Sequence, residues 1–226
     1  MKQLPIHESF FTWQGEGVHM GRSAFFIRTF GCPVKCPWCD SAGTWHPDYI
    51  PKDIERQSPI ELAEMSVKHN PDCVVITGGE PAIHDLTSLT TALHERGLKV
   101  HLETSGAFPL QGDFDWVTVS PKWQKMPLEE NLRRADEIKI IVESDNSIDR
   151  WNQAIHKFIT TTHVWLHPEW SQRDDPSILR SITEWAKAHG SPFRPGYQLH
   201  KLYHADLLDS RSRSNVPLGG NQKLGF

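Results

Sequence analysis

The chain has 226 residues, of which 38% are hydrophobic, and its formal net charge is −4. A chain of this length is expected to form a single domain with a sizeable core. The weak negative charge argues against nucleic-acid binding, which needs a clustered basic surface. No apolar run approaches the length of a transmembrane helix, and the first residues lack a signal-peptide core. We therefore expect a cytoplasmic protein that binds neither nucleic acid nor membrane.

Short apolar segments alternate with helical patterns along the chain. Strands are predicted at 23–30, 73–77, 99–103, 116–119, 137–142, 163–167 and 196–200. Helices are predicted to begin at Ser58 and to span 85–96, 128–135, 148–158 and 177–189. This alternation predicts an α/β fold with a mostly parallel sheet. Eight full units usually need about 250 residues, so we expect an incomplete, shortened (β/α) barrel or an open doubly wound sheet.

Two stretches stand apart from this alternation. Residues 33–54 contain four prolines and little periodicity, which predicts a long loop of the kind that is usually functional. Residues 209–226 are polar and rich in glycine, which predicts a flexible C-terminal tail. We expect residues 1–208 to form the single domain.

Small, polar and charged residues follow five of the predicted strands. In parallel α/β folds the carboxyl ends of the strands meet at one edge, where ligands bind. These residues therefore predict one site, and they are Gly31-Cys32, Thr77-Gly78-Gly79-Glu80, Glu103-Thr104-Ser105-Gly106, Ser120-Pro121-Lys122 and His167-Pro168-Glu169.

Three of the four cysteines lie within eight residues, as Cys32, Cys36 and Cys39 in a C-x3-C-x2-C pattern. Thiolates at this spacing suit zinc or an iron–sulfur cluster. A structural zinc ion would need a fourth ligand, for which His46, Cys73 and Asp40 are the candidates. A [4Fe-4S] cluster held by three thiolates would leave one iron open. Cys73 heads an apolar strand and is otherwise expected to be a buried thiol.

The C-x3-C-x2-C pattern, followed by Gly78-Gly79-Glu80-Pro81, resembles the radical S-adenosylmethionine (SAM) enzymes. In that superfamily the three cysteines hold a [4Fe-4S] cluster, and SAM binds the fourth iron. Further segments are similar to the 7-carboxy-7-deazaguanine synthase family, in order along almost the whole chain before the tail. They are residues 13–17, 26–28, 31–41, 44–45, 76–86, 102–106, 119–122, 136–140 and 198–202.

That family converts 6-carboxy-5,6,7,8-tetrahydropterin to 7-carboxy-7-deazaguanine with loss of ammonia, on the route to queuosine and other 7-deazapurines. The resemblance implies a shortened barrel, a homodimer, a small pterin substrate and a flavodoxin-type electron donor. It also implies three cofactors, namely a [4Fe-4S] cluster, SAM and Mg²⁺.

The resemblance implies roles for particular residues. Cys32, Cys36 and Cys39 would bind the cluster, and Ser41 would bind Mg²⁺. The residues expected to bind SAM are Trp38, Cys39, Asp40, Gly79, Ser120, Pro121 and Lys122. Those expected to bind the pterin are Trp13, Gln14, Gly15, Arg28 and Thr77, with Glu103 and His200 as further contacts.

Two of these roles have a structural alternative. An arginine inside an apolar strand is costly unless it is paired, so Arg28 would either hold the substrate carboxylate or form a salt bridge with an internal acid such as Glu103. The hydroxyl of Ser41 would otherwise stabilise a turn.

Two other functions remain open at this point. The chain could be an activase that places a glycyl radical on a partner protein, which a short chain with an open rim permits. It could also be a non-enzymatic binding module that a zinc ion holds together.

Overall fold

The computed structural model describes residues 3–161, 163–213 and 216. These residues contain nine strands: β1 (Leu4–Trp13), β2 (Ser23–Thr29), β3 (Glu55–Gln57), β4 (Cys73–Gly78), β5 (Val100–Thr104), β6 (Trp116–Val119), β7 (Glu137–Val142), β8 (Val164–Pro168) and β9 (Phe193–Pro195). The α-helices are α1 (Pro59–Val67), α2 (Thr87–His94), α3 (Glu129–Arg134), α4 (Ser147–Ile155), α5 (Pro176–His189) and α6 (Leu199–Tyr203).

All nine strands belong to one sheet, in the order β3-β1-β2-β4-β5-β6-β7-β8-β9. The strands from β2 to β9 in this order pair in parallel, whereas β1 is antiparallel to both β2 and β3. The prediction of an α/β fold with a mostly parallel sheet is thus confirmed. None of the helices in the described residues is long and apolar enough to cross a bilayer.

The central strands are buried on both faces, as expected for parallel strands covered by helices. Ile27, Val74, Ile76 and Leu102 are each fully buried in the main core. Their burial explains why these strands appear in the sequence as continuous apolar runs.

Helix α1 begins where the sequence predicts. The hydroxyl of Ser58 accepts a hydrogen bond from the backbone N–H of Glu61 at 3.3 Å, and the Glu61 carboxylate accepts one from the backbone N–H of Ser58 at 2.7 Å. This capping box satisfies two donors that the first helical turn would leave unpaired.

Strand β1 has no counterpart among the predicted strands. Its sequence contains Pro5, His7 and Glu8, and such residues argue against a buried strand. The charge of Glu8 is tolerated because its carboxylate lies 2.6 Å from the guanidinium of Arg28 on β2. Arg28, the residue that makes Glu8 compatible with a strand, is twenty positions away in the sequence, so the local pattern around Glu8 could not predict β1.

The predicted last strand at 196–200 is wrong. The strand occupies Phe193–Pro195 instead, and α6 spans Leu199–Tyr203. Gly196, directly after the strand, lies so close to the ring of His167 that a Cβ at this position would collide with it.

The described part of the predicted tail makes specific contacts. The Asp209 carboxylate accepts a hydrogen bond from the backbone of Phe11 at 2.9 Å, and the backbone N–H of Arg213 donates to Glu8 at 2.5 Å. The carbonyl of Val216 accepts from the backbone N–H of Ala42 at 2.9 Å. The remainder of the predicted tail, residues 214, 215 and 217–226, lies outside the described residues.

Candidate active site

A cavity of about 220 Å³ opens at the carboxyl ends of the parallel strands. Among the residues at the predicted strand ends, Gly31, Gly106 and His167 do not line it. Of the residues expected to bind the cluster, Mg²⁺, SAM or the pterin, all but the buried Pro121 do. Those lining residues are Trp13, Gln14, Gly15, Arg28, Cys32, Cys36, Trp38, Cys39, Asp40, Ser41, Thr77, Gly79, Glu103, Ser120, Lys122 and His200. The predicted convergence of strand ends on one site is therefore what the structure shows.

Three thiols enter the cavity from the loop after β2. Burial raises the pKa of the Cys36 thiol to about 11 and that of Cys39 to about 12. Within the described residues, no three His, Cys, Asp or Glu side chains converge to hold one metal ion. This donor set fits a cubane cluster, in which each thiolate binds a different iron, better than a zinc ion that needs four ligands around one centre.

The Gly78-Gly79-Glu80 corner at the end of β4 holds the start of the cysteine loop. A side chain on Gly79 would run into the carbonyl oxygen of Gly31, and the backbone N–H of Glu80 donates to that oxygen at 2.9 Å. Only glycine allows this approach, since it has no Cβ. The corner thus fixes the position at which Cys32 enters the cavity.

Glu80 is 99% buried, and its carboxylate accepts four hydrogen bonds from the protein, one of them from the hydroxyl of Ser105. It accepts hydrogen bonds from the hydroxyl of Thr104 at 2.6 Å and from the backbone N–H groups of Ala82 and Ser105 at 3.0 and 2.8 Å. These bonds join the end of β4 to the end of β5, so Glu80 shapes the floor of the cavity.

Arg28 pairs with Glu8, not with Glu103 as the structural alternative suggested. Its Nε donates to the Glu8 carboxylate at 2.6 Å, and its Nη1 donates to the carbonyl of Gly78 at 3.2 Å and to the Ser41 hydroxyl at 3.4 Å. Burial alone would lower the pKa of Arg28, but Glu8 raises it above the usual range. The guanidinium stays charged, and no described residue accepts a hydrogen bond from its Nη2.

Glu103 instead joins two residues predicted to contact the substrate. Its carboxylate accepts a hydrogen bond from the side-chain amide of Gln14 at 2.8 Å and from the hydroxyl of Thr77 at 3.5 Å. A carboxylate has about four acceptor positions, so these two bonds leave capacity for a ligand.

An ion pair between Glu16 and Lys139 lines the cavity. Gln198 also donates to the Glu16 carboxylate, at 2.8 Å. Burial would raise the pKa of Glu16, but the Lys139 ammonium outweighs this effect and holds it well below the usual range. Sequence reasoning missed this pair, although both residues lie within segments that the resemblance covers.

Glu137, two residues before Lys139 on β7, binds the loop after β1. Its carboxylate accepts hydrogen bonds from the backbone N–H of Val18 at 2.9 Å, the hydroxyl of Thr118 at 2.8 Å and the indole of Trp165 at 2.9 Å. The loop after β1, which carries Gln14 into the cavity, is thus fastened to the far side of the sheet.

A second ion pair fixes the far end of the cysteine loop. The ammonium of Lys201 on α6 lies 2.8 Å from the Asp40 carboxylate. Burial would raise the pKa of Asp40, but Lys201 and, to a smaller extent, Arg28 lower it well below the usual range. Helix α6 begins where the sequence predicted a strand, and it contributes this lysine to the site.

The Ser120-Pro121-Lys122 segment faces the cysteine loop. The Lys122 ammonium donates to the Ser120 hydroxyl at 2.5 Å and lies 5.4 Å from the centre of the Trp38 ring. Burial lowers the pKa of Lys122. The indole N–H of Trp38 donates to the Glu143 carboxylate at 2.5 Å, which fixes the loop between Cys36 and Cys39.

Comparison with known proteins identifies this arrangement. Residues 26–120 match the model of the radical SAM superfamily. The 7-carboxy-7-deazaguanine synthase of a Synechocystis species is 42% identical over 197 residues, which cover 87% of this chain and 91% of that protein. The chain belongs to the 7-carboxy-7-deazaguanine synthase family.

Other relatives agree with this assignment. The 7-carboxy-7-deazaguanine synthase of Flavobacterium psychrophilum is 37% identical, with 88% of this chain and 91% of that protein covered. The crystal structure of QueE from Escherichia coli matches with a TM-score of 0.75 and 33% identity, covering 88% of this chain and 95% of that one.

Membership of the 7-carboxy-7-deazaguanine synthase family confirms that the chain is a radical SAM enzyme. It implies SAM and a [4Fe-4S] cluster as cofactors, and the three thiols in the cavity fit that cluster. None of the relatives named above is an activase or a binding module, so neither alternative function gains support.

Proposed function

We propose that the chain converts 6-carboxy-5,6,7,8-tetrahydropterin to 7-carboxy-7-deazaguanine, with loss of ammonia, in queuosine and 7-deazapurine biosynthesis. The observation that carries this proposal is the single cavity in which three thiols face Arg28, Gln14 and Thr77. Groups suited to a cluster and groups suited to a polar heterocyclic acid thereby line the same space.

In this proposal Cys32, Cys36 and Cys39 hold the [4Fe-4S] cluster, leaving one iron for SAM. When bound and reduced, the cluster supplies the electron that cleaves SAM to a 5′-deoxyadenosyl radical. The residues proposed to surround SAM are Trp38, Cys39, Asp40, Gly79, Ser120, Pro121 and Lys122.

The opposite side of the cavity is proposed to orient the pterin. Arg28, with its Nη2 directed to no described acceptor, would bind the substrate carboxylate as a charged donor. Glu103, held by Gln14 and Thr77, would accept hydrogen bonds from the amino and ring N–H groups of the pyrimidinone edge. Trp13, Gly15 and His200 would complete the wall around the ring.

Mg²⁺ binding at Ser41 is part of the proposal. The Ser41 hydroxyl lies 3.3 Å from a carboxylate oxygen of Asp40, so two hard oxygen donors face the cavity together. Mg²⁺ keeps several ligands from water or substrate, and a small set of protein donors is typical of its sites. The substrate carboxylate near Arg28 would supply a further oxygen.

We also propose that the sheet is curved into a shortened (β/α) barrel. Strands β1 and β7 are five strand spacings apart in the sheet order, which on a flat sheet would be about 24 Å. Glu16, three residues after β1, nevertheless forms an ion pair with Lys139 on β7. Strong curvature of the sheet accounts for this contact.

The wider setting of the reaction also belongs to this proposal. The family resemblance implies a homodimer that a flavodoxin-type protein reduces, and we propose that it acts in the cytoplasm. All four cysteines in the chain are free thiols, which suits a reducing compartment.

The test is an anaerobic product assay on cluster-reconstituted protein with SAM, reductant, Mg²⁺ and 6-carboxy-5,6,7,8-tetrahydropterin. We expect 7-carboxy-7-deazaguanine from the wild type. Gln14→Ala and Arg28→Ala should lose most product formation while SAM cleavage continues. Absence of product from wild type with an intact cluster would refute the substrate assignment.

A further inference from the structure

The thiol of Cys39 differs from the other two predicted cluster ligands in having an aromatic N–H directed at its sulfur. The indole Nε1 of Trp45 donates to Cys39 Sγ at 3.4 Å, and the backbone N–H of Ser41 donates to the same sulfur, also at 3.4 Å. Distances of this size are ordinary for N–H donors to sulfur, whose radius exceeds that of oxygen.

A turn of the backbone positions this indole. The Thr44 hydroxyl donates to the Ser41 carbonyl at 2.7 Å, and the backbone N–H of Trp45 donates to the carbonyl of Ala42 at 3.0 Å. The carbonyl of Thr44 in turn accepts from the backbone N–H of Gly31, at the end of β2, at 3.0 Å. Residues 41–45 therefore fold back on the cysteine loop, and Trp45 reaches a sulfur six residues before it.

An N–H donor at a thiolate ligand changes the electronic properties of an iron–sulfur cluster. Reduction adds an electron, so the sulfurs of the reduced cluster carry more negative charge and accept stronger hydrogen bonds. Donors near the sulfurs therefore stabilise the reduced state and raise the reduction potential. The cluster in this family must be reduced before SAM can be cleaved, so this potential bears directly on activity.

We propose that Trp45 is a positioning residue that raises the reduction potential of the cluster through its hydrogen bond to Cys39. The inference rests on the proposed function, since it requires that the three cysteines hold a cluster. Backbone donors to the sulfurs survive substitution of side chains. Trp45 is instead a donor that a single substitution can remove.

The variant Trp45→Phe keeps an aromatic ring and removes the N–H. After anaerobic reconstitution and equal iron and sulfide content, its midpoint potential is measured by a redox titration monitored by electron paramagnetic resonance. We expect a lower midpoint potential than in wild type, and a smaller reduced fraction at a fixed solution potential. SAM cleavage should slow at that potential and recover when a stronger reductant is used.

Trp165→Phe is the control, because the indole N–H of Trp165 bonds to Glu137 and not to sulfur, and Trp165 lies outside the cavity lining. We expect its midpoint potential to stay closer to that of wild type. If the two phenylalanine variants shift equally, loss of indole volume and not of the N–H is the cause, and the inference is wrong.

If Trp45→Phe fails to fold or to load the cluster, replacement of Trp45 by benzothienylalanine decides the question. This analogue has nearly the shape of tryptophan but carries sulfur in place of the N–H. An unchanged midpoint potential in a loaded variant would overturn the inference and leave the proposed function intact. A reconstituted wild type without a [4Fe-4S] cluster would overturn both.

Discussion

The two sides of the cavity are built in different ways. The cysteine side comes mainly from two short segments, residues 32–41 and 78–80, and two glycines and a buried carboxylate fix it. The other side gathers Gln14 from the loop after β1, Arg28 from β2, Glu103 from β5 and Lys139 from β7. The first side takes its cluster ligands from one loop, which the contacts of Asp40 with Lys201 and of Trp38 with Glu143 also hold, whereas the second side depends on ion pairs and hydrogen bonds across the sheet.

This difference predicts that each side can be damaged separately. A change on the cysteine side should remove cluster binding and with it all chemistry. A change on the opposite side should leave the cluster and SAM cleavage in place and affect the pterin or the fold. Four variants, taken from the largest expected effect to the smallest, test this separation.

Cys36→Ala should reduce product formation and SAM cleavage to background, because two thiolates cannot hold the cluster as three do. Iron and sulfide analysis of the reconstituted protein is the measurement. Cys73→Ala is the control, since Cys73 is buried beside Phe10 and Phe26 and lies outside the cavity lining. It should retain full iron content. Equal iron loss in the two variants would contradict the assignment of the ligands.

Lys139→Met should destabilise the fold by about 3–5 kcal/mol, since it leaves the buried Glu16 carboxylate without its cation. Urea unfolding of the cluster-free protein measures this loss. The double variant Glu16→Gln/Lys139→Met removes both charges and should recover much of the stability. A single variant as stable as wild type would show that the pair does not hold the loop after β1.

Arg28→Lys should raise KM for the pterin by about 10–100-fold, because one or two charge-assisted hydrogen bonds are lost while the positive charge remains. Binding of SAM should be unchanged. Steady-state kinetics with each substrate varied in turn gives the comparison. A rise in KM for SAM of the same size would mean that Arg28 serves both ligands and that the two sides are not separate.

Stability should also fall in acid as buried histidines become charged. His167 is 99% buried, and burial lowers its pKa from 6.5 to about 4. The unfolded chain therefore binds a proton that the folded chain does not between about pH 6.5 and pH 4. The contribution of neutral His167 to the free energy of unfolding is present in full above about pH 6.5 and is lost as the pH falls towards 4.

His167→Leu removes this titration, so unfolding free energies at pH 5 and pH 7.5 should differ less than in wild type. The variant keeps a buried apolar side chain beside Glu16, which isolates the effect of the charge. Burial also lowers the pKa values of His7 and His101 to about 4. These two histidines should therefore preserve part of the difference in unfolding free energy between pH 5 and pH 7.5. The same difference in unfolding free energy between the two pH values in wild type and in His167→Leu would contradict this role of His167.

The same difference explains how much the sequence could predict. The cysteine spacing, the glycine corner and the capping box at Ser58 are local patterns, and the structure has the corresponding turns and helix start. The parallel strands were found because their burial on both faces produces apolar runs. These signals need no knowledge of distant partners.

What the sequence could not supply are the pairings between distant residues. Strand β1 was missed because Glu8 is tolerated only beside Arg28, and the ion pair of Glu16 with Lys139 joins residues 123 positions apart. A charged residue in a strand predicts that a partner exists but does not identify it. Lys201 was missed for another reason, since the last strand was predicted at 196–200 and no helix was predicted after it.

The central claim is that three thiolates leave one iron of a cubane free for SAM. The most direct test is the electron paramagnetic resonance spectrum of the anaerobically reduced wild type, recorded before and after addition of SAM. We expect a [4Fe-4S]⁺ signal that changes when SAM is added, and the same change in Arg28→Ala. A sample without a cubane signal, or a signal that SAM leaves unaltered, would contradict the account.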